Sequence, residues 1–474
     1  MKKIFFLLVA ITWCITTSGQ KDKIPVPVVS GPITGPGTIF SASLVDLKPY
    51  GYIEEEYFVE GKARCYDFKT ISDNAPPNDP VYPGSFWFSL DGLPDFVTPI
   101  DSLYPYKTRI IVRKPAEPGR FNGTVVVEWL NASNMYDLDS DWWQLNGHLM
   151  RSGYAWVGIS AQQWSIHSPI GLSKWNPERY GTLDVTADST LLTDELCFDI
   201  FSQAVLALKG KQKVRPLGDL RPEIIVATGH SRSAFMLTRY YNFIQPGCGI
   251  INGFMIRGGG GLLRTDVPAK VFKLNAESDL IELYQFPVRQ PDSDRLVTWE
   301  FSGTSHADQT FDDYHSAIYT RDFGSKYQRE CDLPRCSLIP FHYGFAAALD
   351  HLDRWITEGV IPPSGVPISV LQNEPQVILD RDTLGNALGG IRLPQFAVPV
   401  ALNSGKNSGK GSCRFYGTHQ EFDQSTLKSL YPTHWVFMRK FSESVQKNLE
   451  TGYILEADTA KMLNEARSLS TMWE

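Results

Sequence analysis

Residues 224–234 constrain this chain more than any other stretch. Five strand-forming residues, Ile224-Ile225-Val226-Ala227-Thr228, run straight into Gly229-His230-Ser231-Arg232-Ser233-Ala234, and a helix-compatible stretch through Tyr241 follows. A buried strand, a tight turn centred on a serine and a helix form the local pattern that presents a hydroxyl at the carboxyl end of a sheet. Gly229 and Ser233 are small because such a turn presses strand and helix backbones together, although Ser233 stands where glycine is usual. The plainer alternative, that Ser231 only caps the following helix, does not require the five strand residues before it.

The surroundings repeat the alternation. Apolar strand-like runs at 124–130, 155–160, 250–256, 271–275 and 297–301 join 224–228 to predict at least six strands in one sheet. Helical patterns at 141–151, 195–209 and 342–358 fall between or after them, the last ended by Gly359 and Pro362-Pro363. Strand and helix in alternation specify a mostly parallel sheet with crossover helices. Upstream, residues 51–58 and 108–112 read as antiparallel strands, and the Pro-rich stretch 21–37 as an extended surface strap. Residues 367–396 read as irregular or β, and the chain is helical from 425 onward. One unit over 20–474 is expected, with a core at about 105–363 and an α+β extension at about 364–474.

A serine hydroxyl is a weak nucleophile without a base, and on a sheet of this kind the chain order is serine, acid, histidine. That order is present. The strand at 271–275 ends in Ala276-Glu277-Ser278-Asp279, and the strand at 297–301 ends in Gly303-Thr304-Ser305-His306. His306 is the expected base; Asp279 is the favoured acid, Glu277 the alternative, and Asp308 and Asp292 are outside candidates. Stabilising a developing oxyanion takes backbone donors, expected from Arg232 and from Asn131 or Ala132 in the turn after the first core strand. His230 is expected to pack or to line the pocket, and two or three of Trp129, Trp142, Trp143, Trp164, Trp175 and Trp299 to line it as well.

Composition bounds the remainder. A net charge of −7 and the lack of any basic run leave no electrostatic footprint for nucleic acid. Met1-Lys2-Lys3, the apolar residues 4–15 and the small residues after them form a signal-peptide pattern over 1–19. Export, to the periplasm or the medium, is therefore expected, with lipidation of Cys14 as the weaker alternative beside bulky Trp13. The leader falls short of the ~20 apolar residues a membrane span needs, and no later segment supplies them. Six cysteines remain after such a cleavage, and Cys331 and Cys336, flanking a short loop, are the expected disulfide, against a reading of buried thiols throughout. No spacing matches a zinc site, and no cofactor or metal is expected.

Several stretches together resemble a little-characterised family of large bacterial α/β-hydrolase-domain proteins. They are VVVEWLNAS (125–133), GHSRSA (229–234), NAESD (275–279), WEFSGTSHAD (299–308), LDRWITEGVIPP (352–363) and GNALGGIRLP (385–394). The resemblance runs over about 35–470 and implies an α/β-hydrolase fold and a cofactor-free Ser/acid/His hydrolase carried by Ser231, Asp279 or Glu277, and His306. The reading that follows is a carboxylic-ester hydrolase acting on a small-molecule, carbohydrate or polymer ester. A polyester depolymerase, a peptidase or amidase with the same triad, and a non-catalytic binding protein of the same fold are the alternatives; no feature specifies an oligomeric state.

Overall fold

The computed structural model describes residues 24–66, 97 and 99–474, apart from 192, 211, 335 and 375. The expected signal segment and Cys14 lie outside the described residues. The core strands fall where apolar runs predict them: β4 (Thr124–Trp129), β5 (Ala155–Ile159), β6 (Ile224–His230), β7 (Gly253–Arg257), β8 (Lys270–Ala276) and β9 (Leu296–Phe301). They lie in the order β5-β4-β6-β7-β8-β9, every neighbouring pair parallel. Every residue of β4, β5 and β7 is buried, as a parallel sheet covered by helices on both faces requires.

Upstream, β1 (Val28–Ser30), β2 (Tyr52–Tyr66) and β3 (Pro99–Pro115) continue the same sheet in antiparallel fashion to β5. The last two are far longer than the segments 51–58 and 108–112 picked out by β-branched runs. Their outer halves hold Gly61, Lys62, Arg64 and Pro105, which break the hydrophobic pattern and are carried instead by cross-strand pairing. Part of the Pro-rich strap is extended as expected and supplies the edge strand β1.

Buried ion-paired arginines hold the chain just after this strap. Arg109 donates to Phe40 O at 3.0 Å and pairs with Asp137 at 2.7 Å, while Arg113 donates to Ser41 O at 2.9 Å and pairs with Glu54 at 2.7 Å. The Arg113 guanidinium also lies over both the Trp142 and the Trp156 ring, 4.6 and 4.5 Å from their centroids, a favourable place for a desolvated cation.

The main helices are α1 (Ser140–Ser152), α2 (Cys197–Lys209), α3 (Arg232–Arg239), α4 (Gln309–Phe323) and α5 (Phe341–Glu358). α5 matches its predicted span within one residue and ends at Gly359 with φ +74°, a left-handed stop that glycine supplies without strain. The extension adds two hairpins, β10 (Val370–Gln372) with β11 (Ile378–Leu379) and β12 (Ala401–Ser404) with β13 (Thr418–Glu421). It closes with α6 (Gln424–Leu430), α7 (His434–Thr451) and α8 (Glu456–Ser468). Ile391 N donates to Glu300 O at 2.7 Å, so the extension covers the open edge of β9. No helix among the described residues is long and apolar enough to cross a membrane.

The disulfide differs from the expected one. Cys331 is joined to Cys413, 82 residues away, and Cys336 is buried outside any disulfide. The reason is tertiary: Cys331 pairs antiparallel with Gly409, and Asp332 N donates to Ser408 O at 2.8 Å, which brings the 405–417 loop alongside. Closing so long a loop restricts the unfolded chain strongly. Cys331→Ser with Cys413→Ser is expected to lower unfolding free energy by roughly 2–4 kcal/mol, read as a fall in Tm.

One core residue opposes folding. Lys273 on β8 is buried, its Nζ only 3.4 Å from Gly261 O, and burial pushes its pKa down to about 7 despite the nearby Glu300. Because the folded chain holds this proton less tightly than the unfolded chain, the penalty is full below pH 7 and fades as pH climbs toward the ordinary lysine value. Lys273→Met is therefore expected to raise Tm at pH 6–7, with the gain shrinking by pH 10; a gain unchanged across that range would contradict the assignment.

Candidate active site

The turn after β6 has the geometry its sequence predicts. Ser231 has φ +59° and ψ −122°, a conformation that costs a non-glycine residue free energy and is held only where its surroundings demand it. Ser231 N donates to Arg257 O at 2.9 Å, and Ala234 N donates to Ser231 O at 2.9 Å. A Cβ on Gly229 would sit 3.0 Å from the Ser233 Cβ, so strand and helix meet with room for a serine at 233 and no more than a hydrogen at 229. Gly259 is equally confined, since a Cβ there would stand 2.9 Å from Ser231 O.

His306 and Asp279 come together from neighbouring strand ends. Asp279 opens a one-turn helix after β8; its Oδ2 accepts from Ala276 N and its Oδ1 lies 2.7 Å from His306 Nδ1. Asp279 Oδ1 accepts here, so Nδ1 is the donor and Nε2 is the ring nitrogen turned away from the carboxylate. His306 N donates to Ser278 Oγ at 2.7 Å, which fixes the loop. Both side chains are buried. The His306 ring and Ser231 border one cavity of about 100 Å³, whose walls include Leu138, Phe311, Phe415 and Tyr416. Among the described residues no hydrogen bond links the Ser231 hydroxyl to His306.

The remaining candidates separate by their partners. Glu277 does not touch His306: it accepts from Gly303 N at 2.7 Å, Ser404 Oγ at 3.1 Å and Gly405 N at 3.1 Å, and pairs with Arg381 at 2.7 Å. It thus pins the extension to the strand ends. Asp308 caps α4 through Phe311 N and holds Gln144, its carboxyl raised by burial. Asp292 accepts from Thr298 N. The His230 ring packs against His306 at a tilt of 32°, with ring centroids 4.1 Å apart. Burial, then Arg257 and His306, push its pKa well below the ordinary value; it stays neutral and puts no like charge beside its neighbour.

Of the backbone donors, the Asn131 N–H is engaged, donating to Leu138 O at 3.0 Å. Its side chain instead spans the site, Nδ2 donating to His230 O at 2.8 Å and Oδ1 accepting from Ser133 N at 2.8 Å. The N–H groups of Ala132 and Arg232 have no acceptor among the described residues.

The tryptophans are a correction. None of the six borders the cavity. Trp129, Trp142, Trp143 and Trp299 are core residues, and Trp175 donates to Asp322 O. Trp164, 42% exposed, lies over the Arg232 guanidinium at 4.4 Å. The cavity's aromatic wall comes from Phe311, Tyr327, Phe415 and Tyr416, which carry no local sequence signal because two of them arrive from the extension. Phe415 packs 5.0 Å from His306, and its carbonyl accepts from Ala307 N.

Solved structures similar in part include a provisionally named dienelactone hydrolase from Klebsiella pneumoniae subsp. pneumoniae, at 10% identity, TM-score 0.27, over 56% of this chain and 99% of that one. A provisionally named acetyl xylan esterase from Bacteroides fragilis aligns at 10% identity and TM-score 0.24, over 50% and 48% of the two chains. EstA of Aspergillus niger aligns at 12% identity and TM-score 0.20, over 32% and 26%. No curated protein matches the chain. A family profile described as alpha/beta hydrolase domain matches residues 25–464, nearly the whole described chain. This protein, with its mixed sheet, its serine turn after the central strand and its covered C-terminal edge, belongs to the α/β-hydrolase domain family.

Proposed function

We propose that the protein is an exported serine carboxylic-ester hydrolase that works through an acyl-enzyme on Ser231. The observation that carries this reading is the strained Ser231 facing the same cavity as a His306 whose Nδ1 is bound by buried Asp279. In the first half-reaction His306 Nε2 takes the Ser231 proton as Oγ bonds to the ester carbon. The C–O bond to the alcohol then breaks, and His306 returns the proton to the departing alcohol. Water repeats the sequence in reverse roles and frees the acid. Asp279 holds the imidazole in the required tautomer and stabilises its charged form. The N–H groups of Arg232 and Ala132 are the donors for the oxyanion.

Asp279 is preferred over Glu277 because it is the carboxylate bonded to His306 Nδ1, whereas Glu277 is held by two backbone N–H groups, a hydroxyl and Arg381. A retained fold without chemistry would not need a serine held in a left-handed backbone. Export rests on the 1–19 sequence pattern alone.

Ser231→Ala is expected to lower kcat on a short-chain nitrophenyl ester by at least ~10³-fold and to abolish fluorophosphonate labelling. Asp279→Asn should lose on the order of 10⁴-fold through the wrong tautomer, whereas Glu277→Gln should lower Tm and keep kcat within about tenfold. A wild-type protein inert to both the ester panel and the label would make the fold a binder instead.

A further inference from the structure

We infer that the cavity beside Ser231 admits only short acyl groups, up to about four carbons, and that Leu138, Phe311 and Phe415 set this limit. The inference rests on the serine-hydrolase reading above and goes beyond it by naming the acid half of the ester.

Volume comes first. The cavity holds about 100 Å³, whereas a dry cavity that accommodates a benzene ring has ~150 Å³. A six-carbon group therefore exceeds the space, and an acetyl, propionyl or butyryl group does not. A longer acyl chain would have to leave these walls through the open side, which is also the way out for the alcohol.

The walls are held from behind. Leu138 is paired through both its backbone groups with Asn131, at 2.9 and 3.0 Å. Phe311 packs edge-on against buried Trp143 at 5.1 Å, and its N–H is bound by Asp308. Phe415 and Tyr416 follow Cys413, which is tied to Cys331, and their carbonyls accept from Ala307 N at 2.9 Å and Ser337 N at 3.0 Å. Leu138, Phe311 and the Phe415-Tyr416 pair are therefore fixed to different parts of the fold, and packed interiors of this kind give way little.

The order of chemical events decides which half of the ester takes this space. The acyl carbon stays bonded to Ser231 Oγ while the alcohol, carrying the proton from His306, departs and a water enters. The half that stays bonded to Ser231 is assigned to the lined cavity, and the half that leaves to its open mouth. Sharp selection is expected on the acid and weak selection on the alcohol.

The test is kcat/KM of the full-length protein on p-nitrophenyl acetate, butyrate, hexanoate, octanoate and decanoate, alongside acetate esters of ethanol, hexanol and decanol. Butyrate is expected to exceed octanoate by at least about tenfold, with the alcohol series varying far less. Leu138→Ala, and separately Phe311→Leu should the first not fold, are expected to move the optimum toward hexanoate and octanoate by about tenfold in the ratio. Octanoate turned over as well as butyrate by the wild type, a steep fall with alcohol length in place of acyl length, or an unshifted optimum in a folded variant would each overturn the size limit while leaving the hydrolase reading intact. Absence of turnover on every ester, with no fluorophosphonate labelling, would remove both.

Discussion

A serine held at φ +59° at the end of the central strand is the constraint on which the rest of the site depends. That backbone is unfavourable in isolation and persists because several neighbours leave no alternative. Arg257 O takes its N–H, Gly229 lets α3 approach β6, and Gly259 lets the next strand end pass beneath it. The hydroxyl is thereby carried out of the sheet into the cavity that His306 also borders. Loss of any of these supports would relax the turn before it touched the imidazole.

The same residues reach deep into the fold. Arg257, whose carbonyl fixes Ser231, sends its side chain to Asp141 at 2.7 Å, and Asp141 also accepts from Thr228 of β6. Glu128 on β4 accepts from the N–H groups of Asp141 and Trp142 and from Trp156 Nε1, placing a carboxyl group at the N-terminus of α1 where the helix dipole favours negative charge. Burial together with Asp141 and Asp139 raises the Glu128 pKa well above its ordinary value. These groups are poor contributors to stability, since desolvation offsets most of their attraction. They do tie three strand ends and one helix into a single register directly under the serine.

The C-terminal extension belongs to the site in a way that linear order conceals. Glu277, one residue past β8, uses its carboxylate to hold β12 and Arg381, and Cys413 is fastened to Cys331 so that Phe415 and Tyr416 close the cavity. Of two acids two residues apart, one meets the His306 ring and the other anchors the covering segment. Burial and partner, rather than residue type, separate them.

Much of the fold was legible in the chain alone. Apolar runs located all six parallel strands, and periodicity with a glycine stop located α5, because those signals reflect burial of whole strands and one helix face. The serine turn was legible because strand, small residues and helix follow one another locally, and the strand-end positions of Asp279 and His306 pointed to one edge of the sheet. What only the tertiary structure decided were pairings between distant segments: which acid meets His306, which cysteine meets Cys331, and that four of the six tryptophans fill the core while Phe311, Phe415 and Tyr416 line the cavity. Local sequence encodes which residues are to be buried and how the backbone turns. Contacts across 27 residues, or 82, depend on where the completed sheet brings loop ends together.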